Sequence, residues 1–257
     1  MKLVTLVENT ACKSDLGCEH GLSLYIETGA HKILFDMGQT GLFAENAAKL
    51  GIDLKTVDFA VLSHGHYDHG GGAAQFLEIN RRAPVYVNRG AFASHYNAAQ
   101  KYIGLDPALQ ESGRLIFTED AVSPAPGITL HGCNDRVRPY PTDAFGLTAG
   151  ENREPDDFGH EQYLLIREGE KRICISGCSH KGIANIVHWF HPDILVGGFH
   201  LMKEERFDRL IETANTLLRY PTIYYTGHCT GEMQFGILKT AMGERLHRFS
   251  TGTVLEL

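Results

Sequence analysis

Within six residues, His64-Gly65-His66-Tyr67-Asp68-His69 offers three imidazoles and a carboxylate. Imidazoles two apart in an extended turn can point the same way, while Asp68 and His69 emerge on a neighbouring side. One short loop can therefore serve two metal ions, and Gly65 lets that loop fold tightly. Mixed nitrogen and oxygen ligands suit zinc, iron or manganese better than calcium or magnesium, which favour oxygen shells. A plain solvated turn gains nothing from three crowded histidines, each of which disfavours its neighbour's protonation.

Seven of the 14 histidines (His64, His66, His69, His160, His180, His200 and His228) sit in short Gly-, Ser- or Asp-flanked segments. In Ser179-His180-Lys181-Gly182, which opens a helical stretch, Ser179 reads as an N-cap. Free amides there would point toward the metals and dock a phosphate or another anion, with Lys181 adding charge. Arg136 and Arg138 are further candidates for that charge, although a solvated face suits both better. His180 is either a metal ligand or a general acid, and His200 is either a site residue or a core histidine. Asp68, His180 and His200 are thus the candidate catalytic groups. His31, His95, His188, His191 and His247 have no partner motif and read as surface or core residues. His20 reads as a cap on the opening strands, Cys229 as a packing residue, and Cys12 and Cys18 as ordinary thiols.

The elements that must position these residues are legible as strands and helices. Strand-like runs cover Leu3 to Val7, Leu22 to Glu27 and Lys32 to Asp36, a β meander punctuated by glycines. Helical spacing from Leu42 to Leu50 stops at Gly51, and the apolar strand Val57 to Leu62 runs straight into the first cluster. The second half alternates strands Tyr163 to Ile166, Arg172 to Ser176, Ile194 to Phe199 and Thr222 to Tyr225 with helices Gly182 to Phe190, Glu204 to Arg219 and Glu232 to Met242. Each of its last three strands ends in a histidine-bearing turn, where α/β proteins place functional loops. Between Glu119 and Gly159 lie five of the nine prolines, which predicts a long irregular loop.

Composition bounds the function. With 257 residues, 43% of them hydrophobic, the chain can bury a core, and with no linker or repeat legible it reads as one domain over residues 1–257. A formal charge of −7 disfavours a nucleic-acid partner, which rewards a basic surface. Six cysteines without regular close pairs predict reduced thiols and a cytoplasmic setting. Glu8 interrupts the N-terminal apolar run before a signal-peptide core is complete, and no run approaches the ~20 residues that span a bilayer. A small-molecule substrate, with no membrane or nucleic-acid partner, is the expectation; nothing fixes the oligomeric state.

The motif His64-x-His66-x-Asp68-His69 resembles the signature of the metallo-β-lactamase superfamily, αββα sandwiches with binuclear metal sites. Gly159-His160, Gly177-Cys178 and Gly227-His228 follow in the superfamily's order. The resemblance implies that His64, His66 and His160 bind one metal and Asp68, His69 and His228 the other, with Cys178 where most relatives have a bridging aspartate. Glu161, next to His160, is either a ligand itself or an acceptor that fixes an imidazole tautomer. The segments Glu19-His20-Gly21-Leu22-Ser23, Ser176 to Asn185, Gly197 to Leu201 and Thr226 to Gly231 resemble one branch, metal-dependent hydrolases of superfamily II. That branch includes dihydropterin-methyl-ribofuranosylaminobenzene-phosphate synthases. The implied activity is hydrolysis of a small phosphorylated or anionic substrate by a water activated on divalent ions, zinc first, with manganese or iron as alternatives. The alternatives are the synthase reaction, joining a pterin pyrophosphate to an aminobenzene ribotide, and a non-enzymatic metal or ligand sensor. A di-iron redox role fits less well, since such relatives carry glutamate at the position of His66.

Overall fold

The structure is a computed structural model and describes residues 1–257. Two seven-stranded sheets face each other. In the first, the strands run in the order Val254–Glu256, Lys2–Val7, Ser23–Glu27, Lys32–Phe35, Phe59–Leu62, Val85–Asn88, Leu115–Thr118. In the second the order is Leu246–Arg248, Ile223–Thr226, Ile194–Val196, Lys171–Ile175, Tyr163–Glu168, Ile128–His131, Ala121–Ala125.

The period-two alternation of the strands decides the layering. Leu3, Ile33, Phe35 and Val61 point inward to meet Leu130, Leu164, Ile173, Ile175 and Val196 of the opposite sheet. Their neighbours Val4, Leu34, Ala60 and Leu62 point outward, under the helices Leu42–Lys49 and Ala73–Ile79. On the far side Cys174, Leu195 and Tyr224 pack beneath the helices Ile183–Phe190, Phe207–Leu217 and Glu232–Met242. Both faces of each sheet are covered, which is why the strands read as nearly continuous apolar runs. This is the expected αββα sandwich.

Two expectations change. The Glu119 to Gly159 stretch is partly ordered: Ala121–Ala125 and Ile128–His131 form a hairpin at the edge of the second sheet. Pro124 is tolerated there because an edge strand has one side without ladder bonds, and the register shifts between Val122 and Ala125. Farther on, Thr148–Ala149 and Glu154–Pro155 join His95–Tyr96 in a separate three-stranded sheet. The predicted strand to Phe199 ends at Val196, because Gly197 leaves the ladder at φ 154°.

Candidate metal centre

Strands Lys32–Phe35 and Phe59–Leu62 are parallel, as are Lys171–Ile175, Ile194–Val196 and Ile223–Thr226. The segments that follow them carry Asp36, His64 to His69, Cys178 and His180, His200, and His228. All of these converge at one rim. The backbone bends hard to aim them: Asp36, Ser179, His200 and His228 all adopt left-handed φ between 51° and 61°. Such residues cost about 1–3 kcal/mol each and persist where surrounding contacts fix them. Two glycines permit the close approach. A Cβ on Gly65 would strike the Ala91 carbonyl, and one on Gly177 would strike Ser63 Oγ.

At one corner His69 Nε2 lies 3.1 Å from His228 Nε2 and 3.2 Å from Cys178 Sγ. Asp68 Oδ2 is 3.6 Å and 3.4 Å from the same two nitrogens. The tautomers follow from the outer partners. His69 Nδ1 faces Asp36 Oδ2 at 2.7 Å, so it must donate. His228 Nδ1 faces Asn9 Oδ1 at 3.0 Å, while Asn9 Nδ2 donates to the His228 carbonyl. In their neutral forms both rings therefore turn the Nε2 lone pair toward each other, a carboxylate and a sulfur. In the absence of an ion the buried Cys178 thiol keeps its proton and can donate to His69 Nε2, and His69 itself readily takes up a proton; a cation would displace these protons and take all four atoms as ligands. Ligands ~2.0–2.1 Å from a tetrahedral ion stand about 3.3 Å apart, which matches these spacings. Burial alone would lower the His69 imidazole, but the carboxylates of Asp68 and Asp36 raise it to about 9, a sign that the corner calls for positive charge. Asp68 is depressed by His69 and His228 in spite of its burial.

Beside this corner, His64 Nδ1 is 2.8 Å from Ser63 Oγ, whose hydroxyl donates to Asp36. The free Nε2 of His64 faces His180 Nε2 at 3.3 Å. The His66 ring lies 4.6 Å from that of His64 and 4.9 Å from that of His180. Buried imidazole nitrogens without partners are His66 Nε2, His95 Nε2, His180 Nδ1 and both of His200. Burial, followed by the neighbouring imidazoles, holds His64 and His180 well below the ordinary histidine value. These rings are neutral at pH 7 and able to ligate. The residues thus fit a metal on chemistry and spacing.

Several predicted roles are corrected. Lys181 is fully buried, and its ammonium donates to the carbonyls of Gly132 and Glu161 and to Asn134 Oδ1; burial lowers it to about 8. It offers no charge to a ligand. Ser179 is not the N-cap: the helix starts at Ile183 behind Gly182, and the Ser179 hydroxyl pairs with Ser176. The amides of His180 and Lys181 are not free either, because both donate to the Glu161 carboxylate, at 2.7 and 3.0 Å. Glu161 is thus an acceptor for backbone and Tyr163, away from any ligand role. Arg136 and Arg138 bond the carbonyls of Trp189 and Asp157 on exposed ground.

Two groups escaped the sequence reading. His95, expected to be bland, and Asp156, not singled out, form a buried cluster with His66 and His160. Asp156 Oδ2 lies 3.1 Å from His95 Nδ1 and 3.3 Å from His160 Nε2, while Gly65 N donates to His160 Nδ1 at 2.9 Å. His20 is not merely a cap, since its Nε2 stands 3.4 Å from Asp68. The only local hint for Asp36 was its place at the end of a strand. Cys229 lies within ligand range of Cys178 and His200, and all six cysteines are free.

A cleft of about 170 Å³ opens beside His180 and His200, walled by Tyr140, Phe145, Ile183 and Phe199, with Arg206 and Arg209 also lining it. No helix is long and apolar enough to cross a membrane.

Fold and site together define a metallo-β-lactamase-type protein: the profile of the Metallo-beta-lactamase superfamily matches residues 16–181, and the chain belongs to that superfamily. Among its relatives, an uncharacterized protein of Methanocaldococcus jannaschii is 33% identical over 77% of this chain and 78% of its own. The 7,8-dihydropterin-6-methyl-4-(beta-D-ribofuranosyl)-aminobenzene-5'-phosphate synthase of the same organism is 29% identical, over 100% of this chain and 96% of its own. A crystal structure described as a metal-dependent hydrolase of the beta-lactamase superfamily shares 28% identity at a TM-score of 0.85, covering 100% of this chain and 99% of that one.

Proposed function

We propose that the chain is a metal-dependent hydrolase of a small phosphorylated or otherwise anionic molecule. The reading is carried by His69 Nε2, Cys178 Sγ and His228 Nε2, which meet at ligand spacing in one buried corner with Asp68 Oδ2 beside them. These four would hold one ion and His64 and His66 would help to hold a second; thiolate and imidazole together favour zinc. Divalent ions bound there would supply a water acidic enough to lose its proton near neutral pH and charge to steady a developing oxyanion.

The chain's own groups do the rest. Asp36 orients His69 directly and His64 through Ser63. His200 lines the cleft with both ring nitrogens unpartnered, so it can hold or deliver a proton at the leaving-group oxygen. With Lys181 engaged internally and Arg206 paired to Glu204, the substrate's charge would meet Arg209. The aromatic walls would cover a flat ring. That feature, with the full-length similarity to the synthase, supports the second reading, in which the same centre joins a pterin pyrophosphate to an aminobenzene ribotide. The free cysteines agree with a reducing, cytoplasmic setting.

The test is metal analysis of protein purified without chelator, paired with an aryl phosphodiester assay. Two zinc or manganese ions per chain with turnover are expected. Formation of a pterin–aminobenzene adduct without hydrolysis would establish the second reading, iron with a visible absorption band a redox role, and tight ligand binding without turnover a sensor.

A further inference from the structure

We infer that His180, and not His160, joins His64 at the second metal position, while His160 and Glu161 form a clamp that fixes the two ligand-bearing loops. The inference rests on the proposed metal centre and concerns which residues build it.

The backbone N–H of Gly65 points at His160 Nδ1 at 2.9 Å, so that nitrogen must carry a lone pair. A neutral ring then has its hydrogen on Nε2, which faces the Asp156 carboxylate at 3.3 Å. Both nitrogens of His160 are thereby committed, one as acceptor and one as donor. To ligate through Nε2 the ring would need its hydrogen on Nδ1, directly against the Gly65 N–H. His180 is under no such constraint. Its Nε2 stands 3.3 Å from the bare Nε2 of His64, and its Nδ1 is buried without a partner, so either tautomer is open to it.

The loop that carries His180 is also held as a ligand loop would be. Ser179 takes φ 61°, its hydroxyl ties to Ser176, and Glu161 receives the amides of His180 and Lys181. His160 grips the first loop at Gly65 and Glu161 grips the second at His180. Gln162 adds a bond to the Leu62 carbonyl just ahead of the first loop. Three consecutive residues therefore lock both loops in register, a positioning role.

The experiment compares metal content and chelator-competition affinity in the wild type, His160→Asn and His180→Ala, with cobalt spectra as a second readout. Asparagine places its Oδ1 where His160 has Nδ1, keeping the acceptor for Gly65 but removing Nε2. The expected result is full metal content in His160→Asn, loss of one equivalent in His180→Ala, and a change in the cobalt ligand-field bands in His180→Ala only. The inference is overturned if His160→Asn loses an equivalent, or if His180→Ala keeps both. A wild type that binds no metal would instead overturn the proposed function beneath it.

Discussion

The corner around Asp68 and the network around Asp156 are built from the same residue types, imidazoles and a carboxylate, and both are buried, yet their hydrogen-bond chemistry is opposite. At Asp156 donors meet acceptors. Two imidazole N–H groups reach Oδ2, and the Phe158 amide reaches Oδ1 at 2.7 Å. At Asp68 the outer partners Asp36 and Asn9 accept the Nδ1 hydrogens, so that a neutral ring turns its Nε2 lone pair inward. Around Asp156 the carboxylate is fully paired, although His95 Nε2 and His66 Nε2 stay buried without partners; around Asp68 the ring nitrogens face each other and a sulfur. What separates a ligand set from a scaffold is therefore the direction in which the second nitrogen of each ring is pinned, more than composition or burial.

The sharpest way to break this comparison is to remove one carboxylate from each region. Asp68→Ala should lose metal and lower phosphodiester turnover by at least about 100-fold, beyond the ~10–100-fold typical of partners behind the ligands. Retained metal with unchanged turnover would erase the distinction. Asp156→Asn should instead keep its metal but lose about 1–3 kcal/mol of stability, because the amide NH2 must face either the imidazole donors or the Phe158 amide. Urea unfolding with metal analysis would read both, and the loss of an equivalent would place Asp156 among the ligands.

The smallest effect is in pH. In chelated protein His64, His66, His160 and His180 are held below their ordinary value of 6.5, chiefly by burial. The unfolded chain binds protons that these rings refuse, so their stabilisation is full above about pH 6.5 and declines below it. His69, raised to about 9, acts in the other sense, with its contribution full below 6.5 and lost as the pH rises through 9. With His20 and His131 also lowered, six groups against one should lower the urea midpoint between pH 7 and 5.5, and a midpoint that rises would contradict the assignment.

Much of the site was legible because its chemistry is local. His64 to His69 announces itself by crowding four ligating groups after a strand, and the glycine-flanked turns at Cys178, His180, His200 and His228 mark other strand ends. His95 was illegible for the converse reason. It sits in a two-residue strand of the small sheet, and its partner Asp156 is 61 positions away. Lys181 misled because a cation at the start of a helix is the ordinary sign of an anion site, while the carbonyls of Gly132 and Glu161 that receive it come from elsewhere in the fold.

By itself the sequence determined the layers and the rim. Alternating apolar residues can bury both sheet faces in few ways, and reactive residues placed after parallel strands must emerge together. Only the tertiary structure decided which reactive residues face an ion and which face a hydrogen-bond partner. That choice depends on where Asp36, Asn9, Asp156 and the Gly65 amide come to lie, and a side chain's proton is assigned by neighbours that the linear order does not reveal.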